Sequence, residues 1–367
     1  MSRFAHTQVF NNPKIFVSGW YWTFPSHELK KNKIKSLNLM GREIVIYRGA
    51  SGDVSALDAY CPHMGAHFQE GRVEENSIRC GFHNWKFGSS GACTEIPCQK
   101  YKDRCANIPP VTTHPVQEKY GMIWVHAGDQ NKAATDPLPY FEDLGPGADL
   151  EFLVGRRTFR QCRPEVVMLN AIDAHHFNAV HPEASLLADG MEITAEPQNQ
   201  RMIRLKNTTG LPKNWIGRIL QPLYRNGVLN YKNEYWYAST GVVSLGPDFL
   251  QFRLIFPHRP TLNGGTEGHM IFLTPKRRGI LGKILARGIL WLTDIVGSYF
   301  EKGDKNIFDS IKFAMRAPVK ADHAMIGFIK HTEAQVTQSM PWVERDNELK
   351  GAEVVAIEVL DEERITI

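Results

Sequence analysis

Residues 60–88 read YCPHMGAHFQEGRVEENSIRCGFHNWKFG, and they hold two short arms that each carry one cysteine and one histidine. The first arm is Cys61-x-His63, and the second, after a gap of sixteen residues, is Cys80-x-x-His83. A tetrahedral zinc accepts a Cys2His2 set, but its usual layout keeps the cysteines together and places both histidines later on a helix. Mixing both donor types on each arm therefore indicates a different centre.

Two adjacent irons explain the mixed arms. If each arm spans both irons, each arm gives its cysteine to one iron and its histidine to the other. That is the ligand set of a Rieske [2Fe–2S] centre, in which two histidines replace two cysteines on one iron and raise the reduction potential. The gap between the arms suits two separate loops at the tip of a β structure. A zinc-binding module without a redox role is the alternative reading.

The segments CPHMGAH, CGFHNWKFG and GACTEIP resemble the Rieske domain of bacterial Rieske-type non-heme iron oxygenases. Respiratory Rieske proteins carry a further cysteine on each loop, and those two form a disulfide, whereas the loops here have none. His67 competes with His63 but fits the family spacing less well, and Trp85 is either a shield for the cluster or a plain core aromatic. The resemblance implies four cluster ligands: Cys61, His63, Cys80 and His83.

Five of the six cysteines lie between residues 61 and 105. Nothing marks the chain as secreted, since the first twenty residues contain no continuous apolar run, and no stretch of eighteen apolar residues occurs. In a cytoplasmic protein, which we expect here, crowded cysteines indicate metal more often than disulfides. Three cysteines outside the motif are interpreted as packing thiols: Cys93, Cys98 and Cys105.

The net charge of +4 is too small to indicate nucleic-acid binding. The first third of the chain reads as short strands separated by turns, namely KIKSLNL, EIVIYR, VSALDAY and YGMIWVHAG. A segment rich in Gly, Pro and Asp follows, and beyond it the chain mixes helical segments with aromatic and β-branched strands. The sequence therefore predicts an α+β protein, with an all-β domain at 1–140 followed by a larger α+β domain at 141–367. The resemblance implies that the first is the Rieske domain and that the second is a catalytic domain with an antiparallel sheet and helices around a mononuclear iron.

The second motif is NAIDAHHFNAVH, in which Asp173, His176 and His181 form D-x-x-H-x-x-x-x-H. On a helix that begins near Pro164, Asp173 and His176 share one face, and the helix must loosen before His181 if both imidazoles are to reach one metal. Two histidines and a distant carboxylate make the facial triad of non-heme Fe(II) oxygenases, which leaves positions open for O2 and substrate.

The family's motif is matched at Asn170, Asp173, His176 and His181. The resemblance implies that the two histidines bind iron, and that Asp173 hydrogen-bonds a ligand histidine and bridges to a Rieske histidine. It also implies a late carboxylate ligand, for which Asp304 is chosen, although Asp309 and Asp294 lie near it in sequence. His175 is a decoy, and surface histidines on an ordinary helix are the alternative.

Members of this family form head-to-tail trimers, in which the Rieske tip of one chain meets the iron of its neighbour. The chain resembles the single-subunit branch that includes aminopyrrolnitrin oxygenase, steroid 9α-hydroxylase and cholesterol 7-desaturase. The resemblance implies a terminal oxygenase that uses O2, with electrons from NAD(P)H delivered by a separate reductase or ferredoxin, to hydroxylate a bulky apolar substrate. Desaturation, dealkylation and N-oxygenation stay open, as does a Rieske electron carrier without substrate chemistry.

Two further segments bear on the substrate. Aromatic strands around Tyr235–Tyr237 and Phe249–Phe256, with the amphipathic segment 280–300, are able to line a large apolar pocket or to fill an ordinary core. Five basic residues occur toward the start of that helix, where they suit an anionic membrane surface or a solvated helix face: Lys276, Arg277, Arg278, Lys283 and Arg287.

Overall fold

The computed structural model describes residues 9–10, 12–97, 105–128, 134–180, 189–211, 215–223, 231–246 and 251–340. They belong to two compact units, an N-terminal unit within Thr23–Ala134 and a C-terminal unit that combines the residues before Thr23 with Thr135–Gln338. The predicted division into domains at 1–140 and 141–367 stays a prediction.

The N-terminal unit is built from short antiparallel strands. Among the described residues before Thr135, the strands are β1 (Ile15–Val17), β2 (Gly19–Pro25), β3 (Lys33–Leu39), β4 (Arg42–Arg48), β5 (Val54–Asp58), β6 (Arg72–Glu74), β7 (Ser77–Arg79), β8 (Lys86–Phe87), β9 (Cys93–Glu95), β10 (Thr113–His114), β11 (Val116–Lys119) and β12 (Met122–Ala127). Of these, β1 and the first residues of β2 precede Thr23 and belong to the C-terminal unit. Three sheets have the orders β10-β5-β4-β3, β11-β12-β2 and β6-β7-β8-β9. The four segments predicted as strands match β3, β4, β5 and β12.

Turn chemistry sets the pairing in this unit. Met40 and Gly41 join β3 to β4 with φ of 49° and 85°, the positive values that a two-residue hairpin needs to match the strand twist. A fully buried core lies between the sheets and includes Val45, Leu57 and Phe87. It continues beneath the two Cys/His arms, because Cys61 and Cys80 belong to the same cluster of buried side chains.

The C-terminal unit contains a seven-stranded antiparallel sheet in the order β13-β19-β18-β17-β16-β15-β14. Its strands are β13 (Leu150–Arg160), β14 (Asp189–Pro197), β15 (Met202–Gly210), β16 (Tyr231–Trp236), β17 (Thr240–Leu245), β18 (Phe252–Pro260) and β19 (Thr266–Pro275). The aromatic segment predicted as paired strands supplies β16 to β18. Tyr235, Trp236 and Tyr237 are almost completely buried, so these three side chains fill the core; Phe249 lies outside the described residues.

The described residues of this unit also form helices α1 (Pro164–Leu169), α2 (Ala174–Val180), α3 (Trp215–Leu220), α4 (Gly279–Ser310) and α5 (His323–Glu333). A further described strand, β20 (Thr337–Ser339), pairs with β1. The predicted α+β class is confirmed. Among the described residues, we find no helix that combines the length and the apolar character needed to cross a bilayer.

One strand of the sheet is irregular. β13 forms the edge of the seven described strands and pairs with β19, with Val154 opposite Ile271 and Arg157 opposite His269. Two residues of β13 therefore face a single residue of β19, which is a β-bulge. Phe152 and Phe159 on this strand are exposed.

Candidate metal centres

The two Cys/His arms form loops of the same construction. In each loop, the cysteine N–H donates a hydrogen bond of 2.9 Å to the carbonyl five residues further on, from Cys61 in one loop and from Cys80 in the other. The residue before that carbonyl is left-handed in both loops, Gly65 with φ 71° and Asn84 with φ 58°. Glycine and asparagine are the residues that tolerate this conformation. The second loop connects β7 to β8.

The four predicted ligands separate into a buried pair and an exposed pair. Cys61 and Cys80 are 3% and 1% exposed, and burial, followed by the neighbouring Cys80, raises the pKa of the Cys61 thiol to about 11. His63 and His83 are exposed, and their ring centroids lie 4.6 Å apart. The loops therefore present two thiols on the core side and two imidazoles on the solvent side.

The predicted ligand His63 and its competitor His67 have different surroundings. Trp85 stacks on His63, with centroids 4.1 Å apart and planes inclined by 7°, so it covers one face of this imidazole. His67 has another task, because its Nδ1 accepts the Gln69 N–H over 3.0 Å and caps the short 3-10 turn Phe68–Glu70. The choice of His63 over His67 as a ligand stays a prediction.

The backbones of the second loop and of the turn that follows the first loop approach each other closely. A Cβ added to Gly81 lies 2.3 Å from the Glu70 carbonyl oxygen, and one added to Gly71 lies 2.2 Å from the Arg79 carbonyl oxygen. Both distances are far below van der Waals contact, so both positions require glycine. These two glycines hold the loops side by side.

Arg79 supports the second loop and was missed by the sequence reasoning. Its side chain is buried beside Cys80 and donates to the Asn84 carbonyl over 2.6 Å, while it pairs with Glu95 at 2.7 Å and Glu74 at 2.8 Å. Because these partners come from β6, β9 and the loop itself, no local sequence pattern marks this arginine.

Two further thiols of the N-terminal unit lie in contact. Cys93 Sγ and Cys105 Sγ are 3.0 Å apart, and both residues belong to or pack against the core beneath the loops. Their position agrees with the interpretation as packing thiols, and Cys98 lies outside the described residues.

A second site joins residues far apart in the chain. Asn170 Nδ2 donates to Asp304 Oδ2 over 2.5 Å, and Asp304 Oδ1 lies 3.8 Å from His176 Nε2. Asp304 is only 8% exposed, although it belongs to the long helix α4. Three of the predicted residues therefore converge on one place, although Asn170 and Asp304 are 134 positions apart in the sequence.

Asp173 sets the backbone conformation between Asn170 and His176. The sequence reasoning placed Asp173 and His176 on one helical face. The structure differs, because the chain is extended at Asp173 (φ −84°, ψ 101°) between a 3-10 turn and α2, and only His176 lies on a helix. Asp173 Oδ1 accepts the N–H groups of His175 and His176 over 2.9 and 3.3 Å, as an N-cap does. The carboxylate competes with the helix for the backbone and ends it.

The remaining candidates have other surroundings. Asp309 pairs with Lys305 at 2.5 Å, and Asp294 accepts a hydrogen bond from Ser298 over 3.3 Å. The predicted ligand His181 and the predicted loosening of the helix before it lie outside the described residues. Within the described part of the chain, no group of three or more His, Cys, Asp or Glu side chains is arranged to hold one metal ion.

Residues 19–115 match the family model of the Rieske [2Fe–2S] domain. The chain carries a Rieske domain. Its donor set fits the group, since two buried thiols and two imidazoles give each of two irons one pair of ligands. The thiols bind as thiolates, and the positive charge of iron favours that form even where burial raises the thiol pKa.

The curated relatives of this chain are named desaturases and oxygenases, so the predicted resemblance is confirmed. The chain is 34% identical to cholesterol 7-desaturase of Bombyx mori over 182 residues, which is 48% of this chain and 38% of that protein. It is 30% identical to a probable 3-ketosteroid-9-alpha-monooxygenase oxygenase component of Rhodococcus rhodochrous over 174 residues, 46% of this chain and 42% of that protein. The chain thus spans less than half the length of these relatives.

The fold beyond the Rieske domain also has solved counterparts. The crystal structure of dicamba monooxygenase bound to dicamba superposes with a TM-score of 0.61 at 18% identity, covering 89% of this chain and 98% of that chain. At this identity the likeness establishes the fold alone. The fold over most of this chain is therefore shared with a solved structure.

Proposed function

We propose that this protein is the terminal oxygenase of a Rieske non-heme iron system, with the cluster on Cys61, His63, Cys80 and His83. The observation that carries the proposal is the convergence of Asn170, His176 and Asp304 in a protein that also holds a Rieske domain. A cluster alone only transfers electrons, whereas a second site with a buried carboxylate beside an imidazole has the donors for a mononuclear iron.

In this proposal His176, His181 and Asp304 hold the iron. When bound, Fe(II) of this kind activates O2 next to a substrate with electrons supplied through the cluster. The residues around it fix the ligands. His176 Nδ1 lies 2.7 Å from the Asp173 carbonyl, so this nitrogen is assigned the proton and Nε2 keeps its lone pair on the side of Asp304.

Asn170 fixes the orientation of the Asp304 carboxylate, as Asp173 fixes that of the His176 ring. Its amide donates to Asp304 Oδ2, which holds Oδ1 on the side of His176. Because Oδ2 is occupied by this hydrogen bond, the carboxylate is oriented to offer Oδ1 to a metal. Asn170 is thus a positioning residue and Asp304 a ligand.

Electron supply needs partners. We assign a reductase or ferredoxin fed by NAD(P)H as donor, and a homotrimer in which Asp173 bridges to a Rieske histidine of the neighbouring chain. Asp173 uses Oδ1 for both cap hydrogen bonds, so Asp173→Asn preserves the cap and removes the charge, whereas Asp173→Ala removes both. If the bridge exists, Asp173→Asn binds both metal centres, keeps its unfolding temperature and loses coupled turnover. Normal turnover by this variant contradicts the bridge.

The substrate is proposed to be bulky and largely apolar, because the curated relatives include proteins named for cholesterol and ketosteroids. Monooxygenation is the favoured outcome. Desaturation, dealkylation or N-oxygenation by the same iron is the alternative, since a desaturase and monooxygenases occur among the relatives.

Metal analysis followed by product analysis tests the proposal. The purified holoprotein is expected to hold three irons and two acid-labile sulfides per chain, and Asp304→Asn is expected to hold two irons with an unchanged cluster spectrum. Two irons in both proteins indicate an electron carrier, and zinc without sulfide indicates a zinc module. With NADH, a reductase, labelled O2 and lipid extracts, mass spectrometry then reads the reaction: one labelled oxygen for monooxygenation, and loss of two hydrogens for desaturation.

A further inference from the structure

The first half of α4 leaves large apolar side chains in solvent. Ile280 and Leu281 are 80% and 83% exposed, and Trp291 is 64% exposed. Seven such side chains define what we call the apolar face of α4: Ile280, Leu281, Ile284, Leu285, Trp291, Leu292 and Ile295. Scattered exposed leucines are ordinary, but seven on one helix form a contiguous patch, and such patches mark interaction sites.

The spacing places this patch on one side of the helix. Ile280, Ile284, Trp291 and Ile295 are separated by four, seven and four residues, which keeps them on one face, and the other three side chains lie beside them. The opposite face is buried at Ala286, Ile289, Leu290 and Thr293, where α4 packs on β13, β18 and β19. The helix thus has two apolar faces, and only one belongs to the core.

Basic residues predominate around the patch. Residues 276–293 contain five basic residues and no acidic residue, although Asp294 follows directly and Lys276 pairs with Asp149 at 3.2 Å. Lys283 and Arg287 are exposed and lie along one edge of the apolar face, while Lys276 and Arg278 are exposed at its amino-terminal end. Long basic side chains beside an apolar strip are typical of helices that lie in the headgroup region of a bilayer.

We propose that the apolar face of α4 docks on an anionic lipid bilayer, with the apolar side chains entering the acyl boundary and the basic residues contacting lipid phosphates and carboxylates. A two-fold contact of this face with the same face of a second copy is a poorer occupant, since it brings two clusters of basic residues together. Trp291 sits at the water-to-lipid boundary, where indole rings are favoured. The inference does not depend on the iron chemistry.

Vesicle flotation with the full-length holoprotein tests the proposal. At low salt we expect binding to phosphatidylcholine vesicles that contain about a third phosphatidylserine, and weak binding to phosphatidylcholine alone. The double variant Lys283→Gln/Arg287→Gln is expected to bind about 25-fold more weakly, at about fivefold per charge. The matched control Lys14→Gln/Lys330→Gln removes two exposed charges elsewhere and is expected to bind within twofold of the wild type.

The contribution of the apolar side chains to vesicle binding is measured with separate variants. Leu281→Ser/Ile284→Ser is expected to lose at least tenfold in binding, and a blue shift of tryptophan fluorescence on vesicle addition is expected to disappear in Trp291→Phe. Unfolding temperatures are measured as a control, and we expect these exposed substitutions to leave them unchanged. Absence of binding to anionic vesicles overturns the proposal, as does equal loss in the Lys14/Lys330 control. It is also overturned if the Leu281/Ile284 variant dissociates an oligomer while vesicle binding is unchanged, because the face then joins subunits.

Discussion

Replacing Gly81 by alanine tests whether the close approach of the two loops holds the cluster. The new Cβ lies 2.3 Å from the Glu70 carbonyl oxygen and 3.0 Å from its carbon, whereas ordinary contact begins at 3.4 Å. The overlap is about 1 Å, and no side-chain rotation relieves it because the opposing atoms are backbone.

The cost follows from this overlap. Overpacking by one methyl costs about 1–3 kcal/mol, and we expect the upper end here, which corresponds to about a hundredfold. The loop that moves carries Cys80 and His83, and metal–ligand distances tolerate only about 0.2 Å. Gly81→Ala is therefore expected to lose most of its cluster while the rest of the Rieske domain stays folded.

A matched control lies in the other loop. Gly65 has φ 71° with nothing within 4 Å of an added Cβ, and Asn84 occupies the corresponding position with φ 58°. Gly65→Asn is expected to keep the cluster. Visible absorption, electron paramagnetic resonance of the reduced protein and acid-labile sulfide measure cluster content, and calorimetry measures unfolding. A full cluster in Gly81→Ala, or equal loss in Gly65→Asn, refutes the reasoning.

Three further expectations concern the C-terminal unit. Asn170→Ala is expected to weaken iron binding at the mononuclear site about 10- to 100-fold while the cluster spectrum is unchanged, with Asp309→Asn as the matched control that keeps iron; titration with Fe(II) measures this. Burial lowers the pKa of His258 to about 4, below its unfolded value of 6.5. The unfolded state therefore binds the extra proton, and the unfolding free energy falls by about 3 kcal/mol as the pH drops from 6.5 to 4. In His258→Gln the unfolding free energy, measured by denaturant titration, is expected to change much less between pH 6.5 and 4. An unchanged pH dependence contradicts the assignment. Burial, and next Glu142, raise the pKa of Glu234 to about 7. Its ionisation destabilises the fold as the pH rises from 4.5 to 7, so Glu234→Gln is expected to gain about 1–2 kcal/mol at pH 8, after allowance for partial solvation, and nothing below pH 4.5.

The Rieske loops were predictable because the evidence is chemical and local. The spacing of the cysteines and histidines indicates which side chains are the ligands, and Gly65 and Gly81 lie in the same short sequence segments. Arg79 was not predictable, since its partners Glu74 and Glu95 come from different strands and its burial depends on how those strands pair. The signal for such a residue lies in the fold and not in the motif.

Helical periodicity predicted that a helix is present, but it did not predict how that helix packs against the rest of the fold. The spacing predicted the helix at 280–300, and the structure extends it to Ser310, which carries Asp304 to its place near Asn170. The period does not tell which of two apolar faces meets the sheet. A three-residue spacing placed Asp173 and His176 on one helical face, whereas the Asp173 carboxylate caps the helix that begins after it.

The bulge in β13 has a consequence for how this protein behaves at high concentration. A straight edge of eleven residues with exposed Phe152 and Phe159 is a template on which another chain can add a strand. The two residues that face one residue of β19 bend this edge, and Arg157 near the bulge adds a charge. Deleting Arg156 is expected to straighten the strand, and the variant is expected to form fibrils and to lose soluble expression.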